Sequence, residues 1–499
     1  MIIDQDIRDE IIESDHKHYL ISASAGSGKT TILVEKAFSM LDRNIIKPYQ
    51  QIAMITFTRL ATRQIRDKVN EQISKRYNDV NYLKAIKIIT TESFILSEVI
   101  KPFIRDAYGK NFPSGDELMQ NYNCKFRDYE DGLLYIKSNK LIGSYRANNK
   151  NFTYQLGLQI LIRSANARKY IKAMYPIVMI DEYQDVDYDM HQLYMYLKNV
   201  LNIRLVIVGD IKQMLYQFRG ANIEIMNNLE KDHDIRKYSL IQNFRSHLSI
   251  VNYSYQFFKQ EIVIPKIPYE EDRIRFYSSS DSVEENINRF ICEVSSQIDD
   301  TFAFIFARRD QWIKEKRLWE DEGFIFIDNP PLDSSYPNYN LLEPVLKLYF
   351  DLGNYNIYNM LDDLELEIKS STVRKANLIL DNLDRNNMEA LKIIEELSGK
   401  YLLDEEKQRF EETLHEQYRV NFVVDRPKKV ALTIHGSKGL EFDHVFIHAD
   451  SFFYYDDFKR QNHYVAITRP KKSLHIINTG RYESILHAHG IVVQGNKVN

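Results

Sequence analysis

The sequence predicts an α/β protein built from parallel sheets with flanking helices. Three short apolar runs support this fold class, namely HYLISA (18–23), IVMI (177–180) and IRLVIVG (203–209). Runs of this length and branched character are typical of strands that are covered on both faces. The segment TTILVEKAFSML (30–41) follows the first run after a short loop and has the pattern of a helix.

Composition restricts the size class and the partners. The chain has 499 residues, 44% hydrophobic and 27% charged, which is enough for two or more domains. The formal net charge of −4 excludes a global basic field, so any contact with nucleic acid has to be local. Cys124 and Cys292 form no CxxC pair or disulfide framework, which favours a reducing cytoplasm. No apolar run is long enough to span a membrane.

The loop after HYLISA has the pattern A-x-x-x-x-G-K-T, which is typical of a phosphate-binding loop. Gly26 and Gly28 allow backbone N–H groups to surround a β-phosphate at the positive end of a helix. Lys29 supplies a positive charge to the β- and γ-phosphates. The alternative, a chance Gly/Ser turn, is weakened by the strand–loop–helix context. The residues predicted to bind ATP here are Ala23, Ser24, Ala25, Gly26, Ser27, Gly28, Lys29, Thr30 and Thr31.

An acidic pair follows the strand IVMI. Ligands collect at the carboxyl ends of strands in open α/β sheets, so we expect Asp181 and the Thr30 hydroxyl to hold Mg²⁺. Glu182 is predicted to orient or deprotonate the attacking water. A solvated acidic turn that caps a helix is the alternative interpretation of this pair.

Two arginines are candidates for stabilising charge as a γ-phosphate leaves. They are Arg245 in LIQNFRSHLSI and Arg469 in HYVAITRPKKSL. An arginine in this position accelerates phosphoryl transfer by several powers of ten. For either residue taken alone, a surface salt bridge is the alternative.

The loop VGDIKQMLYQFRGAN (208–222) combines polar and aromatic residues in an unusual way. Gln213 is a candidate sensor of phosphate, whereas Tyr216 and Phe218 offer flat rings on which bases can stack. One stacked base contributes roughly 1–3 kcal/mol with little dependence on sequence. Core packing of the two rings is the alternative, and the neighbouring Gln213 and Arg219 argue against it.

These motifs occur in one fixed order along nearly the whole chain: ASAGSGKTT, ITFTRLATRQIRDKV, DEYQD, VGDIKQMLYQFRGAN, IQNFRS, LTIHGSKGLEF and HYVAITR. In this order they resemble the motifs of UvrD/Rep-like superfamily 1 DNA helicases. The resemblance implies two RecA-like P-loop NTPase domains with ATP in the cleft between them. It also implies ATP-driven movement 3′→5′ on single-stranded DNA.

The resemblance further implies roles for individual residues. At the nucleotide, Gln5 is expected to read the adenine, Phe244 to stack on it and Glu441 to lie near the ribose. Gln213 is expected to sense the γ-phosphate, with Arg245 and Arg469 as arginine fingers. The residues implied to line a single-strand DNA track are Phe57, Thr58, Tyr216, Phe218, Arg219 and His435. One motif departs from the family, because Thr91, Glu92 and Ser93 replace a TFH-type sequence that contacts DNA.

The predicted domain boundaries follow from the positions of these motifs. Residues 1–93 and 166–239 are assigned to the first RecA-like domain, and residues 240–331 and 425–499 to the second. Residues 94–165 and 332–424 are assigned to mainly helical insertions, which are short for UvrD-like helicases. In the resembling family these insertions contact duplex DNA, so their contraction weakens the case for a processive strand separator.

Four segments indicate a closer resemblance: EVIKPFIRDAYGKNFP (98–113), DEYQDVDYDMHQLYMYLKN (181–199), PLDSSYPNYNLL (331–342) and NHYVAITR (462–469). They are similar to the helicase-like (GajB) subunits of Gabija anti-phage defence systems. The resemblance implies a DNA-stimulated ATPase in a hetero-oligomer with an OLD-family, GajA-like nuclease. Only about 30 residues follow Arg469, so we expect any nuclease activity to belong to another chain.

Three functions are compatible with these observations. The first is a 3′→5′ motor on single-stranded DNA, with unwinding as a consequence. The second is an ATPase that senses single strands or DNA ends and activates a nuclease with little unwinding. The third is a repair helicase, which would need no partner.

Overall fold

The computed structural model describes residues 3–498 apart from the positions that follow: 58, 77–83, 147–150, 215–221, 259–272, 279–281, 295–298, 308, 328–329, 333–335, 337, 386, 424, 426, 438, 453–456, 479, 492 and 495–496. In this part of the chain, two six-stranded parallel sheets with flanking helices form the framework. The predicted α/β fold class is therefore confirmed.

The first sheet has the strand order β3-β2-β6-β7-β1-β8, and every neighbouring pair is parallel. Its strands are β1 (His18–Ala23), β2 (Ile52–Thr56), β3 (Ile86–Thr90), β6 (Ile177–Ile180), β7 (Arg204–Gly209) and β8 (Arg236–Leu240). Alternate residues of β2 enter different hydrophobic cores on the two faces of the sheet. Ala53 and Ile55 face one core, whereas Ile52 and Met54 face the other, which is why this strand is apolar throughout.

Helices alternate with the strands of the first sheet. They are α1 (Gln5–Glu13), α2 (Lys29–Asp42), α3 (Arg59–Arg76), and helices at Thr91–Ile95, Ala165–Met174, Tyr188–Asn199 and Ile223–Lys231. This alternation brings the carboxyl ends of β1 and β6, where the phosphate loop and the acidic pair begin, to the same edge of the sheet.

The second sheet has the strand order β11-β13-β10-β14-β15-β9. Its strands are β9 (Ile274–Ser278), β10 (Phe302–Phe306), β11 (Ile325–Phe326), β13 (Lys429–Thr433), β14 (Phe442–His448) and β15 (Pro470–Asn478). Its helices are Leu248–Gln256, Val283–Val294, Arg309–Asp321, Ile434–Ser437, Asp457–Ile467 and Gly480–Ala488. As in the first sheet, Phe304 and Ile305 of the central strand face separate cores.

The predicted first insertion contains two strands as well as helices. Its elements are a π-helical turn at Leu96–Ile100, helices Lys101–Tyr108, Tyr129–Asn139 and Phe152–Arg163, and strands β4 (Met119–Phe126) and β5 (Leu141–Tyr145). The second insertion is mainly helical, with helices Tyr339–Phe350, Ile357–Asp363, Ser370–Asp384, Glu389–Ser398 and Asp404–Thr413 and the short strand β12 (Lys400–Tyr401). Its apolar residues form a core of their own. The domain boundaries stay predictions, because sheet membership does not locate a linker.

The two insertions share a sheet. Strand β12 of the second insertion pairs with β4 of the first, and β4 pairs with β5, all in parallel. Glu92 lies beside this junction, where it accepts a hydrogen bond from Gln120 at 2.9 Å and pairs with Lys400 at 3.7 Å. Glu92 therefore joins both insertions to the first sheet, which gives a structural reason for its departure from the TFH-type motif.

The second insertion also contacts the first sheet and its helices directly. Glu365 accepts a hydrogen bond from the backbone N–H of Thr90 at 3.3 Å, and Asp362 pairs with Arg66 of α3 at 2.5 Å. Among the described residues, no helix has both the length and the apolar character needed to cross a membrane.

Candidate nucleotide-binding site

The phosphate loop connects β1, which ends at Ala23, to α2, which begins at Lys29. Gly26 and Gly28 have φ angles of +69° and +81°, a region that disfavours residues with a Cβ atom. A Cβ on Gly26 would also lie 2.6 Å from Asn243 Oδ1. Gly26 is therefore required by its own backbone and by the close approach of the loop around Asn243.

The predicted catalytic cation, hydroxyl and carboxylates meet at this loop. Lys29 Nζ lies 3.6 Å from a carboxylate oxygen of Glu182, and the Thr30 hydroxyl donates to Asp181 Oδ2 at 3.1 Å. Asp181 is 3% exposed. Burial and the charge of Glu182 raise the pKa of Asp181 to about 6, because both disfavour the ionised form of its carboxyl group.

A chain of hydrogen bonds connects Glu182 with Gln213. Gln184 donates to Glu182 and accepts a hydrogen bond from the backbone N–H of Asp210 at 3.0 Å. Asp210 Oδ2 then accepts from Gln213 Nε2 at 2.7 Å. The candidate general base and the predicted phosphate sensor are thus linked through two buried side chains.

Asn243 joins the phosphate loop to the first predicted arginine finger. Its amide nitrogen donates to the carbonyl of Ala25 at 2.8 Å. Its Oδ1 accepts from the backbone N–H groups of Arg245 at 2.7 Å and Ser246 at 2.8 Å. The backbone N–H of Phe244 also donates to the Gly26 carbonyl at 2.9 Å.

The two arginines approach the site from the side of the second sheet. Arg245 pairs with Glu441 at 2.7 Å. Arg469 is 2% exposed and donates to the Val465 carbonyl at 2.8 Å and to the Thr468 hydroxyl at 3.2 Å. Burial and the nearby charge of Arg245 lower the pKa of Arg469 to about 9, since both disfavour the protonated form of its guanidinium group.

One cavity of about 770 Å³ lies between these groups, which is within the range of small-molecule sites. The predicted site residues that line it are Gly26, Ser27, Gly28, Lys29, Thr30, Phe57, Glu182, Gln213, Phe244, Arg245, Glu441 and Arg469. Tyr339, Asn340 and Glu343 of the second insertion line it too. Both sheets and one insertion therefore contribute to a single cavity.

Comparisons with known proteins identify the family. A model described as an AAA domain matches residues 8–219, and one described as the UvrD-like helicase C-terminal domain matches residues 429–477. The chain is 34% identical over 481 residues to the Gabija protein GajB of Bacillus cereus, covering 94% of each chain. This chain belongs to the GajB family of UvrD-like helicases.

More distant helicases match parts of this GajB-family chain. The ATP-dependent DNA helicase PcrA of Staphylococcus aureus is 24% identical over 285 residues, which is 49% of this chain and 38% of PcrA. The RecBCD enzyme subunit RecB of Buchnera aphidicola is 24% identical over 311 residues, which is 54% of this chain and 26% of RecB. The predicted resemblance to UvrD-like helicases and to Gabija helicase-like subunits is confirmed.

The structure of this GajB-family chain does not bring Gln5 to the cavity. The Gln5 amide donates to Asp9 within α1 at 2.7 Å. Arg8, one helical turn further on, lies with its guanidinium carbon 4.8 Å from the Phe244 ring centroid and donates to the Ser27 carbonyl at 2.8 Å. Phe244 itself is 55% exposed and available for stacking. The adenine-reading role of Gln5 stays a prediction.

Several residues at the site were not predicted from the sequence. Lys212 donates to the Ser24 hydroxyl at 3.0 Å and lies 5.0 Å from the Tyr255 ring centroid and 5.4 Å from that of Tyr464. Its position beside Gln213 is a signal that could have identified it. Asn243, next to Phe244, could have been identified in the same way.

Most of the predicted DNA track falls outside the described residues. Thr58, Tyr216, Phe218 and Arg219 lie outside the described residues, as does the side chain of His435. Phe57 is described and lines the cavity. The DNA-binding roles of these residues, and the roles assigned at the nucleotide, stay predictions.

Proposed function

We propose that this GajB-family chain is an ATP-driven motor that moves 3′→5′ on single-stranded DNA, with strand separation as a consequence. The main support is the single cavity to which the phosphate loop contributes from the first sheet and Arg245, Glu441 and Arg469 from the second. A ligand that contacts both sides changes how the two sheets are held relative to each other. Nucleotide turnover can therefore produce movement.

The residues in the cavity fit an ATP hydrolysis mechanism. The loop N–H groups and Lys29 bind the β- and γ-phosphates. Glu182 orients the attacking water and accepts its proton once the nucleotide draws Lys29 away from it. Arg245 and Arg469 stabilise the charge on the departing phosphoryl group.

Thr30 and Asp181 are the residues that would hold Mg²⁺. Their oxygens lie 3.1 Å apart, and hydroxyl and carboxylate oxygens are the donors that this hard cation prefers. When bound, Mg²⁺ neutralises phosphate charge. The raised pKa of Asp181 fits this role, because a buried carboxylate of this kind gains a counter-charge when a cation binds.

Movement on DNA requires that the nucleotide state changes how the protein contacts the strand. Gln213 lines the cavity and is bonded to Asp210, and the same loop continues to the predicted stacking residues Tyr216 and Phe218. A change in the hydrogen bonds of Gln213 would shift this loop. We propose that the shift alters the grip on single-stranded DNA.

Strand displacement from forked DNA tests this function. The isolated protein should release the strand of a fork with a 3′ single-stranded tail when ATP is present. A matched fork with a 5′ tail and the Lys29→Ala variant should both give no release. Release from the 5′-tailed fork, or equal release by Lys29→Ala, would refute the proposed motor and its polarity.

A second candidate is an ATPase that senses single strands or DNA ends and activates a GajA-like, OLD-family nuclease. The shared β12–β4 sheet favours it, because it ties the two insertions together and limits their separation. The similarity to a Gabija protein adds support. This function predicts DNA-stimulated ATP hydrolysis without strand release, together with co-purification of the nuclease. A repair helicase would instead displace strands fully without a partner.

A further inference from the structure

Lys68 is a further cation of the nucleotide cavity. It lies in α3, is half-buried and lines the same cavity as Lys29 and Arg245. The helix that carries it packs against α2, which begins with the phosphate loop lysine.

The contacts of Lys68 differ from those of Lys29 and Arg245, two of the three other cations that line the cavity. Lys29 and Arg245 each pair with a carboxylate, at 3.6 Å and 2.7 Å. Within the described part of the chain, Lys68 Nζ makes no ion pair and donates to the neutral hydroxyl of Thr31 at 2.8 Å. Its positive charge is therefore available to an anionic ligand.

The partner hydroxyl shows which part of a nucleotide Lys68 would meet. Thr31 is the second residue after Lys29 and lies in the first turn of α2. Backbone N–H groups at this end of a phosphate loop surround the α- and β-phosphates, whereas the loop lysine reaches the β- and γ-phosphates. A cation held by Thr31 therefore lies on the α-phosphate side.

The charges around Lys68 agree with this position. Burial lowers the pKa of Lys68, and the carboxylates of Asp181 and Glu441 oppose that effect. Asp181 lies beside Thr30, and Glu441 is the residue expected near the ribose. Lys68 thus lies within electrostatic range of both groups.

We propose that Lys68 binds the α-phosphate of the nucleotide and that Thr31 positions its ammonium group. This inference rests on the proposed ATP site and adds a residue to it. Since the α-phosphate is common to substrate and product, Lys68 stabilises bound ADP and bound ATP by the same factor. Arg245, on the γ-phosphate side, acts mainly on the triphosphate.

Calorimetric titration with ADP and with a non-hydrolysable ATP analogue tests the inference. Lys68→Met should lower the affinity for both ligands about tenfold, which is the low end of the contribution of a charge-assisted hydrogen bond. Lys68→Arg should restore most of the affinity. Lys75→Met is the matched control, because Lys75 lies on the same helix, is exposed, pairs with Glu71 and does not line the cavity as the described residues form it. That variant should bind both ligands like the wild type.

The positioning role of Thr31 requires its own measurement. Thr31→Val keeps the shape of the side chain and should weaken the binding of both ligands about threefold, a modest loss because water can replace the hydroxyl at the half-buried ammonium group. In the Lys68→Met background it should have no further effect, because its partner is already gone. An unchanged effect in that background would refute the positioning role.

The inference and the proposed function fail in different ways. If the wild-type protein binds neither ligand, the proposed ATP site is wrong. If it binds both and Lys68→Met stays within twofold of it, or loses affinity for the triphosphate alone, the α-phosphate contact is wrong while the ATP site stands. Should Lys68→Met fail to fold, Lys68→Gln and Thr31→Val test the same contact.

Discussion

Asn243 offers the sharpest test of how the two sheets are joined at the nucleotide. Its side chain makes three hydrogen bonds, to the Ala25 carbonyl and to the backbone N–H groups of Arg245 and Ser246, at 2.7–2.8 Å. Asn243→Ala removes all three. Each contributes about 1 kcal/mol net, so their sum is about 3 kcal/mol.

This free energy is an upper value, because Asn243 is only half-buried and water replaces part of the lost hydrogen bonding. A remaining cost of about 1.5–3 kcal/mol in the transition state corresponds to a roughly tenfold to hundredfold lower kcat/KM. Because the bonds fix Arg245 relative to the phosphate loop, we expect a loss in kcat/KM for ATP hydrolysis, accompanied by a loss in the free energy of unfolding of up to about the same 1.5–3 kcal/mol, since the bonds are present in the nucleotide-free fold.

Steady-state ATPase assays with single-stranded DNA, together with thermal unfolding, provide the measurement. Asn243→Asp is the graded control, because it keeps both acceptor bonds and replaces only the donor with a carboxylate that faces the Ala25 carbonyl. Its activity should lie between those of the wild type and Asn243→Ala. A value of kcat/KM for Asn243→Ala within threefold of the wild type would refute the proposed link.

Three further predictions concern other parts of the structure. Gly26→Ala should abolish nucleotide binding in calorimetry, because its Cβ would lie 2.6 Å from Asn243 Oδ1 and its backbone would have to keep a φ of +69°. An affinity equal to that of the wild type would contradict the requirement for glycine at this position. Burial raises the pKa of Asp181 from 3.8 to about 6, so its ionised form destabilises the nucleotide-free fold above that pH. Asp181→Asn should therefore unfold at a higher temperature than the wild type at pH 7.5, and this difference in unfolding temperature should shrink toward pH 4. The variant should also lose ATP turnover. A lower unfolding temperature than the wild type at pH 7.5 would contradict the raised pKa of Asp181. Lys400→Glu should place two negative charges beside each other at Glu92 and speed limited proteolysis of the second insertion. Adding Glu92→Lys to the same chain restores a pair of opposite charges and should return the proteolysis rate toward that of the wild type. No return would contradict the role of this ion pair.

The sequence alone was informative where the determinants are local. The phosphate loop is encoded within nine residues, because glycines at fixed positions permit positive φ angles and the lysine follows directly. The apolar runs of β1, β6 and β7 predicted strands of the first sheet correctly, since a strand buried on both faces has to be apolar throughout. The order of the motifs was sufficient to predict the family.

Only the tertiary structure decided which distant side chains meet. Gln5 and Arg8 lie on one helix, and the packing of that helix directs Arg8 rather than Gln5 to Phe244. The bond between Lys68 and Thr31 depends on the docking of α3 against α2. The β12–β4 pairing joins segments 280 residues apart in the sequence. Such contacts depend on the relative placement of whole elements, and a short amphipathic or polar segment of sequence does not specify that placement.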